Sequence, residues 1–155
     1  AAARLRGDTR IASFSVSGWD THLNQKGGIQ NALRRLSDTI LTLRAGLGPV
    51  WNNTAVLCLT EFGRTAAENG TKGTDHGTGG AMIYGGGALN GGRVLGDWPG
   101  LAEADLYNRR DLMPTRDVRA YPAWVMHDLL GISRRAIESS IFPGLEMGSN
   151  PGIVA

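Results

Sequence analysis

Cysteine is almost absent from this chain. Cys58 is the only one in 155 residues, so no internal disulfide framework is available to the fold. It lies in the apolar run Ala55–Thr60 and is expected to behave as a small buried hydrophobe, a reactive thiol being the alternative. Long hydrophobic runs are missing as well. No stretch reaches the roughly 18 apolar residues of a membrane-spanning helix, and no secretory signal is visible. Charge of one sign is equally scarce: the formal net charge is +2, and Lys and Arg are scattered in singles and pairs. The sequence pI of about 9.0 therefore carries no nucleic-acid footprint. The Arg pairs at 34–35, 109–110 and 134–135 suit solvated faces or helix ends. A hydrophobic content of 41% against 19% charged residues excludes a disordered chain. Neither a fixed-period repeat nor a low-complexity linker interrupts the sequence, which leaves one domain over residues 1–155.

Glycine is what the chain has in excess, 23 residues, about twice ordinary usage. The stretch Thr60–Gly80 combines glycines with Glu61, Arg64, Glu68, Asp75 and His76, between the apolar runs Ala55–Thr60 and Ala81–Tyr84. A polar loop of that length inside a domain is functional or disordered, and its acids and histidine favour function. The run Gly85-Gly86-Gly87 follows a strand-like segment, but it lacks G-x-G-x-x-G spacing and no helical pattern follows, which excludes a dinucleotide site.

The remaining periodicities predict an α/β fold. Ile11–Val16 suits a short, mostly buried strand. Gly28–Leu47 is an amphipathic helix with Ile29, Leu33, Leu36, Ile40, Leu43 and Leu47 on one face, ended by Gly48-Pro49. Ala55–Thr60 is a continuous apolar strand, as in a parallel sheet covered on both faces. Strand, helix and strand make a βαβ unit with a right-handed crossover. Ala81–Gly86 is a third strand, and Asn90-Gly91 signals a β-hairpin pairing Met82–Leu89 with Gly92–Gly96. A helix over Asp117–Leu130 is capped by Thr115 and followed by Gly131, with Pro122 either delaying its start to near Ala120 or kinking it. Ser133 caps a short helix to Ile141, and His127 is a surface or packed histidine.

In open parallel sheets ligands gather at the carboxyl ends of the strands. That rule brings Asp20 and His22, just after the first strand, to the same rim as Glu61, Arg64, Asp75 and His76. Two residues apart on extended chain, Asp20 and His22 point the same way and offer oxygen and nitrogen to a divalent metal. The plain alternatives stay open. Asp20 or Thr21 caps a turn while His22 packs on Trp19; Glu61 sits at the start of a short helix over 62–68; Arg64 pairs with Glu61 or Glu68; His76 bonds to backbone.

Several strings together resemble the DUF1501 family of the alkaline-phosphatase-like (sulfatase-like) superfamily. They are Gly18-Trp19-Asp20-Thr21-His22 with Asn24-Gln25, Thr60-Glu61-Phe62-Gly63-Arg64-Thr65, Glu68-Asn69-Gly70, Gly73-Thr74-Asp75-His76-Gly77, Gly91-Gly92-Arg93-Val94 through Gly96-Asp97-Trp98-Pro99-Gly100-Leu101, and Phe142-Pro143-Gly144. The resemblance implies an alkaline-phosphatase-like fold with a mainly parallel sheet flanked by helices. It implies two divalent cations, zinc foremost with calcium and manganese as alternatives, and hydrolysis of small anionic phosphate or sulfate esters. By position Asp20, His22 and His76 resemble one cation's ligand set. Glu61 stands where many members have an Asp-His pair feeding a second cation, a departure from the standard two-zinc site. Arg64 would then hold an anionic substrate oxygen, and Asp75 would be a ligand or an acceptor orienting His76.

The superfamily's nucleophile comes from its N-terminal half, and no Ser or Thr here has a nucleophile's setting. The opening Ala-Ala-Ala-Arg-Leu-Arg has no Met and suits the last turn of a helix. The expectation is the C-terminal portion of a longer, exported, periplasmic protein. Such a half-sheet leaves an edge on which a second copy can pair into a homo-oligomer. The rival expectation is a non-catalytic fragment or binding domain with a structural metal or ligand site.

Overall fold

The long helix of the chain runs on because no proline interrupts it. α2 runs Gln25–Leu47, after a single-turn α1 at Ala2–Leu5. It starts three residues before the expected Gly28, because the Gln25 N–H donates to the Lys72 carbonyl at 2.8 Å and Asn24 takes a left-handed conformation before it. It ends, as the Gly48-Pro49 pair predicts, at Gly48 with φ 55°. A 3₁₀ turn over Gly48–Asn53 then leads into β1, Val56–Cys58. β2 (Gly63–Arg64), β3 (His76–Gly77) and β4 (Ile83–Gly85) follow. The second half is irregular chain to α3, Ala120–Leu130, and α4, Arg134–Ala136, which continues as a π-turn over Ile137–Ile141. The structure, a computed structural model, describes residues 1–155.

Helices and small sheets are mixed, and the sheets differ from expectation. β1 pairs with β4 and β2 with β3, both antiparallel, with Leu57 opposite Tyr84 and Arg64 opposite His76. The expected parallel βαβ unit lacks its first strand. Ile11–Val16 forms no strand, and Ile11 and Phe14 are exposed, since no neighbouring strand offers them a ladder. Between β1 and β4 there is no crossover helix of the kind parallel pairing needs; the chain folds back through β2 and β3 and returns antiparallel. Residues 62–68 are likewise not helical.

The expected hairpin at Asn90-Gly91 is also absent. Asn90 instead fastens the C-terminal segment: its N–H donates to the Ile153 carbonyl at 2.7 Å, its side-chain amide donates to Gly152 and Val154, and Leu89 bridges to Val154. Gly92–Gly96 is left unpaired by that competition.

α3 is the centre of the packing. Pro122 falls in its first turn, where a missing N–H costs nothing, and the helix starts at Ala120 as predicted. Thr115 is not its cap; Asp117 accepts from the Arg119 N–H instead. One side of α3 packs Ala120 and Ala123 on Ile137, Leu145 and Met147. Val125 joins Leu89 and Ile153 against Leu57 and Tyr84 of the β1–β4 sheet. His127 lies edge-on to Trp124 and beside Asp128. Ser133 caps α4 as expected.

The long helix is much less covered. Of its apolar face only Leu47 is buried, with Ala32; Leu36, Ile40 and Leu43 are half-buried and Leu33 and Leu41 are exposed. The accessible surface of 9963 Å² exceeds by about a third the roughly 7,500 Å² of a compact monomer of this mass.

Candidate metal centre

The polar loop closes on the segment before α2 by main-chain contacts. Thr74 N–H donates to the Thr21 carbonyl at 3.2 Å and Asn24 N–H to the Thr71 carbonyl at 3.1 Å. Gly73 makes this possible, since a Cβ there would clash with the His22 and Thr21 carbonyls. On the other side β3 pairs with β2, which sets His76 beside Arg64.

Three donors converge where these segments meet. Asp20 Oδ1 lies 3.0 Å from His22 Nε2 and 2.9 Å from His76 Nε2, and the two imidazole nitrogens are 3.2 Å apart. All three side chains are roughly half exposed. Zinc–nitrogen bonds of about 2.0–2.1 Å place neighbouring ligand atoms about 2.9 Å apart at right angles and about 3.4 Å apart in a tetrahedron. The observed triangle falls between those values, so the donor set fits a divalent cation.

The protonation pattern supports the same fit. His22 Nδ1 donates to Asp75 Oδ1 at 3.0 Å, so in the neutral ring Nε2 carries a lone pair toward Asp20. A lone pair facing a carboxylate oxygen repels it unless a positive centre, a metal ion or a proton on Nε2, lies between them. Asn69 fixes this arrangement, its amide donating to Asp75 Oδ1 at 3.0 Å and to the His22 carbonyl at 3.1 Å. His22 and Asn69 hold the Asp75 carboxyl below the usual carboxylate range. Phe62 packs on the His76 ring with centroids 4.1 Å apart.

Arg64 is spent within the site. Its guanidinium donates to Asp20 Oδ1 and to the Thr74 carbonyl, and Nε donates to Thr74 Oγ1 at 3.1 Å. Together with the two imidazoles it holds the Asp20 carboxyl below the usual range. The Thr74 hydroxyl in turn donates to Gln25 Oε1 at 2.6 Å, tying the site to the start of α2.

The structure thus gathers Asp20, His22 and His76 as donors, with Arg64 on Asp20. Asp75 orients His22 rather than His76, because Asn69 holds it on that side. Glu61 is exposed and makes no bond to the triad; it precedes Phe62 in the chain. Two contributors were not visible in the sequence as site residues. Asn69 acts through main-chain and carboxylate contacts. Asp111, discussed below, reaches the site from behind β3. Asn69 stands in the Glu68-Asn69-Gly70 string that carries the family resemblance, but nothing there assigned it a role, and no signal marked Asp111.

Comparison with known proteins gives one match. The family model described as "Protein of unknown function (DUF1501)" covers residues 1–121. No curated protein and no solved structure matches the chain. No helix is long and apolar enough to cross a membrane.

Proposed function

The chain belongs to the DUF1501 family, and from that premise we propose that it carries the metal site of a metal-dependent hydrolase of phosphate or sulfate esters, within an alkaline-phosphatase-like fold. The observation behind this reading is the exposed triad of Asp20, His22 and His76. Structural zinc sites are closed by four protein ligands, whereas catalytic sites hold three and leave a position open. A divalent cation, zinc foremost, would be held by these three side chains and would supply Lewis-acid polarisation of an ester oxygen. Asp20 and the neutral imidazoles bring the donor atoms, Asp75 and Asn69 keep His22 in the required tautomer, and Arg64 neutralises Asp20 and fixes its rotamer. Glu61, exposed and unbonded to the triad, stays outside this set of three. The substrate is a small anionic ester, no Ser or Thr of this chain has a nucleophile's setting, and the protein is exported and periplasmic. The excess surface and the free edges of the two-stranded β1–β4 sheet support pairing with a second copy. Light scattering checks this, and a monomer argues against it.

A second reading is favoured by Arg64. Each of its nitrogens already makes a bond within the site, which commits three of the five N–H donors of a guanidinium to holding Asp20 and Thr74, as suits a non-catalytic domain with a structural metal. A panel of aryl phosphates and aryl sulfates, run with zinc on this chain and on its full reading frame, separates the two. Zinc-dependent turnover lost in His76→Ala supports the hydrolase. Stoichiometric zinc without turnover by either protein supports the structural site.

A further inference from the structure

Residues Tyr107 to Asp111 make a tight turn. Tyr107 and Asp111 exchange two backbone hydrogen bonds, each 3.0 Å, and Asn108 and Arg109 between them adopt φ of 51° and 55°. The turn delivers a carboxylate to the interior: Asp111 is only 2% exposed. Its oxygens are both used. Oδ2 accepts from the Thr78 N–H and hydroxyl, each at 3.0 Å, and Oδ1 accepts from Arg110 Nε at 2.8 Å. Arg110 also donates to the His76 carbonyl at 3.4 Å. Arg110 and Asp111 therefore grip the main chain on both sides of Gly77. Backbone bonds from Ala66 to Arg110 at 2.9 Å and from Gly79 to Leu112 at 3.2 Å hold the turn in place.

β3 needs such a grip. It is two residues long, and Gly73, Gly77, Gly79 and Gly80 surround His76, each costing more backbone entropy to order than any other residue. A buried carboxylate is unfavourable unless its partners compensate it fully. Apart from its own neighbour Arg110, the side-chain partner of Asp111 is Thr78, two residues beyond the histidine donor.

We propose that Asp111 is a positioning residue of the metal centre: through Thr78 and Arg110 it holds the His76 main chain so that Nε2 meets Asp20 and His22. This rests on the metal reading above and adds a residue that touches none of the three donor atoms.

Titration with Co²⁺, followed by calorimetry and by visible absorption, tests it. The unaltered chain binds one Co²⁺. Asp111→Asn binds it on the order of 10–100-fold more weakly, the usual effect of losing a residue that orients a ligand, and with a changed absorption envelope. Thr78→Val, which loses only the hydroxyl bond, shifts affinity several-fold in the same direction. Glu138→Gln, far along the chain in the C-terminal packing, lowers stability and leaves Co²⁺ affinity and spectrum unchanged, which separates positioning from general destabilisation. Unchanged affinity and spectrum in folded Asp111→Asn, or in Thr78→Val where Asp111→Asn does not fold, overturn the inference and leave the metal reading standing. No Co²⁺ binding by the unaltered chain overturns both.

Discussion

His22 Nδ1 stands 3.0 Å from Asp75 Oδ1, and this contact decides which nitrogen of His22 faces Asp20 and His76. A carboxylate accepts but cannot donate, so it selects the tautomer with the proton on Nδ1 and the lone pair on Nε2. An amide in its place can present either group and loses that selection. Asp75→Asn is therefore expected to weaken zinc binding about 10–100-fold, read by competition with a chromogenic chelator. Elemental analysis of the pure chain is expected to find one divalent cation per molecule, and His76→Ala to lose it. Equal zinc content in both proteins would remove the triad from consideration.

Gly73 carries a different kind of dependence, one of space. A Cβ there meets the His22 and Thr21 carbonyls, which are backbone atoms and cannot turn aside. Gly73→Ala should then cost about 1–3 kcal/mol of stability and loosen the metal site with it. Gly91 is the control: nothing lies within 4 Å of a Cβ built there, and Gly91→Ala should stay within about 0.5 kcal/mol. Urea midpoints of the two variants check the contrast, and equal midpoints would contradict the close approach of the two segments.

The Gly73 contact also shows what was legible in the sequence. Asp20, His22 and His76 could be picked out because polar, metal-competent side chains stood among glycines with no apolar core to serve. α2 and α3 were legible because many turns repeat the 3.6-residue period. Strands of two or three residues hold too little pattern to reveal a partner or direction, and so the expected parallel sheet gave way to antiparallel ribbons. Ile11–Val16 looked like a core strand by composition, yet burial depends on what lies opposite, and nothing here covers Phe14. The roles of Asn69 and Asp111 are not written in the sequence, because both act across contacts between distant segments.

Cys58 offers a test of the β1–β4 sheet. It lies opposite Ile83, and burial pushes its thiol above the ordinary value. At pH 8 the folded chain should react with Ellman's reagent on the order of tenfold more slowly than a free thiol, and addition of urea should remove the difference. A raised folded value also means that the stability Cys58 contributes is present below the unfolded thiol's pKa, about 8.5, and lost as pH rises beyond it. Reaction at the free-thiol rate in buffer would show the sheet open at Cys58.

The C-terminal packing has an acid-sensitive tie in Glu138. Its Oε1 accepts from the Met147 N–H at 3.1 Å and from Arg134 Nε at 2.9 Å. The Met147 N–H, helped by the guanidinium, holds the Glu138 carboxyl below its ordinary value. A group depressed on folding contributes stability that is fully present above its unfolded pKa, about 4.3. That contribution is lost as pH falls through the lower folded value, because the unfolded chain takes up the proton first. Met147 is fully buried beside Ile137 and Ala123, so loss of the tie frees a core residue's backbone. Glu138→Gln should accordingly lower the urea midpoint at pH 7 and flatten its fall between about pH 5 and pH 3. An unaltered acid profile in that variant would mean that Glu138 is not held by Met147 in solution.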